Sequence, residues 1–245
     1  MARSTPSGSN VAEGPTRRLV ITLDGPAGSG KTTTAQAVAK QLGFRHLDSG
    51  ALYRALTFAL LQEGVPEDEW GSLESGQLNE LKVEVETDDD GVNIYRDGVL
   101  LTSQLRSPEV TRCVSALASL PAVRDWLLGV QRSVGACGNL VADGRDMGTV
   151  VFPDADVKIF LVAGLEERAR RRLLQDTGRE PTSSEIREEA RRIEQRDRAD
   201  QSRNQSPLRR PEDAVEVDTT GLSFTDQVSL ILRRVKDLTP LWRDV

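Results

Sequence analysis

Histidine and cysteine are nearly missing from the 245-residue chain. The two cysteines, Cys113 and Cys137, form no CxxC pair, which excludes a disulfide framework and a zinc site built on that motif. His46 is the single histidine, so a Ser/His/Asp triad or a histidine-rich metal site would depend on that one residue. A lone histidine shortly after Phe44 is typical of a strand edge, and we predict that role for His46.

Long apolar runs and an excess of positive charge are also lacking. No run approaches the ~20 apolar residues that a membrane-spanning helix needs, and residues 1–17 lack the apolar segment of a signal peptide. A formal charge of −6 argues against a strongly basic nucleic-acid-binding surface. We therefore predict a cytoplasmic protein that binds neither a membrane nor a nucleic acid polymer, with residues 1–17 as a flexible tail.

Short apolar segments alternate with helical patterns along most of the chain. The first such segment, residues 19–23, stops at Asp24-Gly25-Pro26, which no helix would continue through. Similar segments occupy residues 139–142, 157–162 and 214–217. Strands and helices that alternate in this way predict a parallel sheet with helices on both faces.

The pattern changes between residues 71 and 120. The segments KVEVET, VNIYR and VLL are joined by DDDG and DG, which is typical of antiparallel strands with tight turns. We predict a small antiparallel insert at 71–120 within a main domain made of 18–70 and 121–245. Residues 166–210 are dense in Glu and Arg, which predicts helices with solvated, ion-paired faces.

A glycine-rich segment between the first strand and the first helix matches the phosphate-binding pattern GxxxxGK[ST]. Its residues, with the threonine that follows, are Gly25, Pro26, Ala27, Gly28, Ser29, Gly30, Lys31, Thr32 and Thr33. Backbone N–H groups of such a loop and of the next helix bind phosphate, and the lysine adds a positive charge. Thr32 or Thr33 can offer a hydroxyl to magnesium. The motif predicts a nucleoside triphosphate, Mg²⁺ and an α/β fold of the P-loop NTPase type.

Charged residues also lie at two other predicted strand ends. Ser49 is predicted to cap a helix that carries Arg54 one turn inside, which makes this helix start a candidate second anion site. Asp143 follows the segment 139–142, where a carboxylate could hold magnesium through water. Arg145, two residues later, could clamp a phosphate with two hydrogen bonds.

Three charged residues near the end of the charge-dense region share one helical face. Arg196, Asp200 and Arg203 have i,i+4 and i,i+3 spacing, which also fits a surface ion-pair ladder. Phosphate-binding loops serve GTPases and kinases alike. A GTPase would need an Asn-Lys-x-Asp segment, which the sequence lacks. A kinase acting on UMP or on a small hydroxyl metabolite stays open at this point.

Together these motifs resemble the bacterial cytidylate kinases, a family of P-loop nucleoside monophosphate kinases. The resemblance runs from residue 19 to the carboxyl terminus and is carried by ITLDGPAGSGKTT, LDSGALYR, LVADGRDMGTVVFPDADVKIFL, EERARRR and RDRADQSR. It implies a monomeric enzyme that transfers a phosphoryl group from ATP, with Mg²⁺, to CMP and dCMP. It also implies that the insert binds the monophosphate and that residues near 177–189 form a helical lid. Many relatives have glycine where this chain has Thr32, so the identity of the metal-binding hydroxyl stays open.

The resemblance further implies roles for individual side chains. The CMP phosphate would be held by Ser49, Arg54 and Arg145. The cytosine would be read by Ser115, Arg124, Asp146 and Arg203, and the ribose by Arg196 and Asp200. The transferring phosphoryl group would be contacted by Arg168, Arg171 and Arg172. Physical chemistry agrees for the base, since a carboxylate accepts from the cytosine amino group and a guanidinium donates to its acceptors.

Overall fold

The computed structural model describes residues 18–88 and 91–239. The predicted tail at residues 1–17 lies outside the described residues. Strands, in chain order, are β1 (Val20–Asp24), β2 (Arg45–Asp48), β3 (Val83–Thr87), β4 (Val92–Arg96), β5 (Val99–Leu100), β6 (Leu140–Gly144), β7 (Val157–Val162) and β8 (Val215–Asp218). Helices are α1 (Lys31–Leu42), α2 (Ser49–Gln62), α3 (Ser75–Glu80), α4 (Pro108–Leu117), α5 (Pro121–Ala136), α6 (Leu165–Thr177), α7 (Ser183–Gln201) and α8 (Phe224–Leu238).

Five strands form one sheet in the order β2-β6-β1-β7-β8, and every neighbouring pair in it is parallel. The glycine-rich loop therefore leaves the central strand of the sheet. Carboxyl ends of parallel strands meet at one edge, where open α/β sheets bind their ligands. β2 is an edge strand of this sheet, and His46 is its second residue.

Helices cover both faces of the sheet. In β6, Val141 packs into a core with α1 and α8, whereas its neighbours Leu140 and Ala142 pack into a second core with α2 and α5. The five residues of β6 are all buried, as expected for a strand covered on both sides. The predicted three-layer parallel fold is confirmed.

Local sequence explains where α1 and α2 begin and end. α1 ends at Gly43, whose φ of 65° is a left-handed conformation that glycine adopts at little cost. At α2 the prediction that Ser49 is the cap is wrong. Asp48 precedes the first helical residue and its carboxylate accepts from the N–H of Ala51 at 3.1 Å. Ser49 is the first helical residue, and its Oγ accepts from Gln131 Nε2 at 2.9 Å.

A second sheet, β3-β4-β5, is antiparallel and lies within the predicted insert. It occupies residues 83–100, whereas the flanking parts of the insert are helical and include α3 and α4. Leu78, Ile94 and Leu117 of the insert share one core with Leu52 and Leu56 of α2. The small antiparallel sheet is thus confirmed, and the exact limits 71–120 stay a prediction.

Charged residues of α6 and α7 form the predicted ion pairs at one-turn spacing. Arg171 pairs with Glu167 at 2.7 Å, and Arg198 pairs with Glu194 at 2.9 Å.

Within residues 18–88 and 91–239, no single helix has the length and apolar composition to cross a membrane. The bent pair α4 and α5, with 100° between the two helices, meets the length and composition test when its halves are taken together.

Candidate active site

One cavity of about 1090 Å³ opens beside the glycine-rich loop. It is lined by ten Lys or Arg side chains and five Asp or Glu side chains, so its surface carries net positive charge. The predicted site residues that line it are Gly28, Gly30, Lys31, Thr32, Thr33, Ser49, Arg54, Ser115, Arg124, Arg145, Asp146, Arg171, Arg172, Arg196, Asp200 and Arg203. We call the part at residues 28–33 the loop end, and the part at Arg54, Ser115, Arg124, Asp146 and Arg203 the distal end.

The loop end presents backbone donors to the cavity. Gly30 is the N-cap of α1 with a φ of 83°, and no side chain caps the helix there. The first N–H groups of α1 are therefore open to an anion, and the helix dipole favours negative charge at that position. Gly25 is required for another reason, because a Cβ built on it would lie 2.3 Å from the carbonyl oxygen of Leu161.

Lys31 is buried at the loop end and its Nζ donates to the carbonyl of Pro26 at 3.2 Å. Burial, with Arg145 nearby, lowers the pKa of Lys31 to about 7. An anion placed beside Nζ would offset both effects and favour the charged amine. The arrangement is therefore suited to binding a highly charged phosphate chain.

Thr32 contacts the buried carboxylate of Asp143. Its Oγ1 donates to Asp143 Oδ2 at 2.6 Å, whereas the hydroxyl of Thr33 donates to the carbonyl of Gly30 at 3.0 Å. Of the two hydroxyls that the sequence left open for a metal, that of Thr32 is the one that contacts the buried carboxylate. The second oxygen of Asp143 lies 2.8 Å from Nε2 of His46, a contact that the sequence did not predict.

These oxygen donors fit Mg²⁺. Within the described part of the chain, no group of three or more His, Cys, Asp or Glu side chains could hold a metal by itself. Magnesium commonly binds through one or two protein oxygens together with substrate phosphates. Thr32 and Asp143 supply such oxygens next to the loop that would hold the phosphates.

A cluster of arginines lies between the loop end and the distal end. Asp200 accepts from Arg145 Nε at 2.8 Å and from Arg203 at 2.5 Å, which bridges α7 to the segment after β6. Arg203 lies beyond the end of α7 at Gln201, so the prediction that Arg196, Asp200 and Arg203 share one helical face is wrong for Arg203. Burial, with Arg145 close by, lowers the pKa of Arg196 to about 9, and its Nε is buried with no partner among the described residues. Burial also lowers the pKa of Arg54. The arginines of this cluster carry more positive charge than the carboxylate of Asp200 can neutralise. The cluster therefore favours binding of an anion.

Arg124 and Asp146 form a buried ion pair at the distal end, with 2.5 Å between Nη2 and Oδ2. The Arg124 guanidinium lies 5.5 Å from the centre of the Tyr53 ring and donates through Nη1 to the carbonyl of Ala118. Its Nε is buried with no partner among the described residues. The pair thus places a carboxylate and a guanidinium side by side in one pocket.

Asp24 holds the backbone next to that pair. Its two carboxylate oxygens accept from the N–H groups of Met147 and Gly148 at 2.9 and 2.7 Å. Burial raises the pKa of Asp24 to about 7. Asp24 links the end of β1 to the π-helical turn that starts directly after Asp146. Sequence reasoning missed this role, although an Asp at the end of an apolar strand was a signal for it.

Several predicted site residues do not reach the cavity wall: Gly25, Pro26, Ala27, Ser29, Asp143 and Arg168. Arg168 instead donates to the carbonyl of Ala27 at 2.9 Å and pairs with Asp197 at 2.5 Å, and Asp197 accepts from the Ala27 N–H. This places Arg168 behind the loop. Conversely, Arg106 and Arg170 line the cavity without having been predicted.

Comparisons with known proteins point to one family. A family model described as Cytidylate kinase matches residues 21–237. A cytidylate kinase of Salinibacter ruber is 44% identical over 225 residues, which cover 89% of this chain and 97% of the relative. A cytidylate kinase of Carboxydothermus hydrogenoformans is 44% identical over 215 residues, covering 86% of this chain and 95% of the relative. A bifunctional pantoate ligase/cytidylate kinase of a Synechococcus strain is 43% identical over 233 residues, which are 90% of this chain and 42% of that protein.

Solved structures give weaker likenesses. A gluconokinase of Sinorhizobium meliloti matches 93% of this chain and 99% of its own, with a TM-score of 0.43 and 16% identity. A shikimate kinase of Bacteroides thetaiotaomicron matches 91% of this chain and 99% of its own, with a TM-score of 0.44 and 14% identity. These likenesses are too low to add to the topology described above. The match over residues 21–237, with relatives above 40% identity along nearly their whole length, shows that the chain belongs to the cytidylate kinase family.

Proposed function

We propose that the protein phosphorylates CMP and dCMP with ATP. The observation that carries this proposal is the geometry of one cavity, which has an anion-binding loop at one end and the Arg124–Asp146 pair at the other. Two anionic substrates bound in this way would face each other across the arginine cluster. Catalysis of phosphoryl transfer depends mainly on such positioning and on electrostatic stabilisation.

ATP is the phosphoryl donor and places its triphosphate at the loop end. The N–H groups of the loop and of the first turn of α1 bind the phosphate oxygens, and Lys31 neutralises charge on the outer phosphates. Magnesium, when bound, supplies positive charge that stabilises the negative charge shared by the outer phosphates. Thr32 would hold it directly and Asp143 through water, because their oxygens lie together beside the loop.

CMP is the acceptor and places its phosphate among Arg54, Arg145 and Arg196. Burial is the main cause that lowers the pKa of Arg54 and of Arg196, and a phosphate dianion bound between them would favour the charged form of both groups. Ser49 lines the same wall. A phosphate dianion is already nucleophilic near neutral pH, so the reaction needs no strong side-chain base.

The cytosine ring is read at the distal end. Asp146 accepts from its amino group, and Arg124, with Ser115 and Arg203, donates to its acceptor edge. Uracil would place a carbonyl against the carboxylate and leave buried acceptors unpaired, at a cost of about 1 to 3 kcal/mol. The ribose lies against Arg196 and Asp200.

The arginines of α6 divide into two roles. Arg171 and Arg172 line the cavity while paired with Glu167 and Glu189, and we infer that closure of a lid near residues 177–189 transfers them to the migrating phosphoryl group. Lid closure also excludes water, which would otherwise accept the phosphoryl group. Arg168 is proposed as a positioning residue that fixes the loop through Ala27.

An acceptor panel tests the proposed function. Purified protein is incubated with ATP, Mg²⁺ and one of CMP, dCMP, UMP, AMP or shikimate, and release of ADP is followed. CMP and dCMP are expected to give rapid turnover, UMP much slower turnover, and the remaining acceptors none. The Lys31→Ala variant, purified in the same way, controls for contaminating kinases. Turnover with UMP or shikimate exceeding that with CMP contradicts the proposal. The monomeric state and the cytoplasmic location stay predictions. Light scattering can test the monomeric state.

A further inference from the structure

A second, much smaller cavity adjoins the Arg124–Asp146 pair at the distal end, and both residues of the pair help to line it. Its volume is about 20 Å³, against about 1090 Å³ for the cavity that holds the candidate site. One water molecule needs at least about 10 to 15 Å³ of such space. The small cavity therefore has room for a single water and for no nucleotide.

Two buried polar atoms of opposite kind belong to residues that line this small cavity. Arg124 Nε can only donate a hydrogen bond, whereas Gln205 Oε1 can only accept one. Neither atom has a hydrogen-bond partner among residues 18–88 and 91–239. Buried polar atoms in folded proteins nearly always have a partner, and ordered water supplies it where protein groups do not. A donor and an acceptor beside the same water-sized space can both be satisfied by one bridging water.

The amide of Gln205 is oriented by a contact at its other end. Its Nε2 donates to Asp125 Oδ1 at 2.7 Å. Since a carboxylate oxygen accepts and does not donate, this contact settles which end of the amide is the nitrogen, and Oε1 is left as the available acceptor. Gln205 lies beyond the end of α7, whereas Asp125 and Arg124 lie in α5. A water between Gln205 and Arg124 would therefore join the segment after α7 to α5.

The same water would complete the hydrogen bonding of the Arg124 guanidinium on the protein side. A guanidinium has five N–H groups. Nη1 of Arg124 donates to the carbonyl of Ala118 at 2.9 Å, and Nη2 donates to Asp146 at 2.5 Å. A third bond at Nε would hold all three nitrogens and so fix the plane of the group. One N–H on each Nη atom then remains for a ligand in the main cavity, which Arg124 also lines.

We propose that the small cavity binds one ordered water, which accepts from Arg124 Nε and donates to Gln205 Oε1, and that Gln205 is thereby a positioning residue for the guanidinium that reads the base. Through the water, Gln205 keeps the two remaining N–H groups of Arg124 directed at the acceptor edge of the base. Tyr53 and Ser206 also line the small cavity, so their hydroxyls are available as the further partners that a buried water commonly has. The role of Gln205 in binding the base rests on the proposed function, whereas the water site does not.

Crystal structures of the protein without nucleotide test the water site. The unaltered protein and Gln205→Met are compared at a resolution that shows ordered water, because methionine is similar to glutamine in shape but lacks the amide oxygen. In the unaltered protein we expect one water about 2.7 to 3.2 Å from both Arg124 Nε and Gln205 Oε1. In Gln205→Met that water should be lost. A direct bond between Arg124 and Gln205, an unaltered protein with no water at this position, or a water that stays in the variant overturns the inference. These structures contain no substrate, so their outcome is distinguishable from failure of the acceptor panel.

Steady-state assays with CMP at saturating ATP test the positioning role. Since the net loss of one hydrogen bond changes an equilibrium constant about three- to tenfold, Gln205→Met is expected to raise KM for CMP by that factor. The kcat should stay unchanged, because the loop end and Lys31 are not altered. Gln205→Glu keeps an acceptor oxygen, so its KM for CMP should be lower than that of Gln205→Met.

Asn204→Met is the matched control, because Asn204 is exposed and lines neither cavity. It should leave KM and kcat unchanged, and thermal unfolding of each variant shows whether the fold is intact. A KM for CMP that Gln205→Met does not change, an equal rise in Asn204→Met, or the same KM in Gln205→Glu and Gln205→Met overturns the positioning role.

Discussion

Asp146→Asn changes one atom in the Arg124–Asp146 pair, which is proposed to read the base. The side chain is buried and bonded to Arg124 at 2.5 Å, and its backbone is held by the contacts of Asp24 with the two following residues. Asparagine has the same shape and one remaining acceptor oxygen. If that oxygen stays on Arg124, the new NH₂ group points toward the base, where cytosine also presents an amino group.

The expected effect follows from one lost hydrogen bond and one buried donor left unpaired. Such a change costs about 1 to 3 kcal/mol, which corresponds to a loss of about 5- to 150-fold in kcat/KM for CMP. For UMP the new NH₂ group faces a carbonyl, so kcat/KM should rise or stay constant. The ratio of the two values is therefore expected to fall by at least about fivefold.

Steady-state assays with CMP and UMP at saturating ATP measure this ratio. Asp154→Asn is the matched control, because Asp154 is an exposed carboxylate that does not line the cavity. Replacing Asp146 also leaves Arg124 buried beside a neutral partner, so the free energy of unfolding should fall in parallel. A general loss of folded protein would lower the kcat/KM for CMP and for UMP by the same factor. A CMP:UMP ratio within twofold of the unaltered enzyme refutes the assigned role of Asp146.

Further predictions concern the loop and β1. Lys31→Ala removes the charge that is proposed to neutralise the outer phosphates, so kcat should fall by about a thousandfold while circular dichroism shows an intact fold. Near-normal turnover would contradict the proposed role of Lys31. Thr32→Val should raise the Mg²⁺ concentration needed for half-maximal rate at least about fivefold, whereas Thr33→Val should leave it unchanged. The reason is that the Thr32 hydroxyl contacts the buried carboxylate of Asp143 and the Thr33 hydroxyl does not. Equal responses of the two variants would count against Thr32 as the metal-binding hydroxyl. Burial raises the pKa of Asp24 from 3.8 to about 7, so the folded state holds a proton in this interval that the unfolded state releases. The free energy of unfolding should therefore fall by up to about 4 kcal/mol as pH rises from about 4 to 7, and Asp24→Asn should remove that slope in urea titrations. An identical slope in both proteins would show that another group titrates.

The sequence alone predicted four strands of the parallel sheet and the position of the glycine-rich loop, because both depend on the order of neighbouring residues. The apolar segments of β1, β6, β7 and β8 are bounded by turn residues, and the glycine-rich loop matches a motif of fixed spacing. The small antiparallel sheet was also predicted, from the turn residues between its strands. Its helical flanks were not predicted. One of them, α3, has six residues, which is too short for a helix that is stable alone, and it packs against α5.

Contacts between segments that are distant along the chain could not be predicted from the sequence. Arg168 lies in an arginine-rich stretch in which Arg168, Arg171 and Arg172 were given the same role. Only the packing of α6 and α7 against the loop separates Arg168, bonded to Ala27 and Asp197, from its cavity-lining neighbours. The same holds for the contact of His46 with Asp143, which depends on the register of β2 against β6. The cap of α2 was missed because adjacent Asp and Ser residues are both good caps.

The central claim is that two anionic nucleotides bind at opposite ends of one cavity. A crystal structure of the protein with CMP, Mg²⁺ and the β,γ-imido analogue of ATP tests it directly. We predict the triphosphate on the N–H groups of residues 28–33, the CMP phosphate among Arg54, Arg145 and Arg196, and the cytosine against Arg124 and Asp146. CMP bound outside this cavity, or with its base turned away from Asp146, would contradict the account.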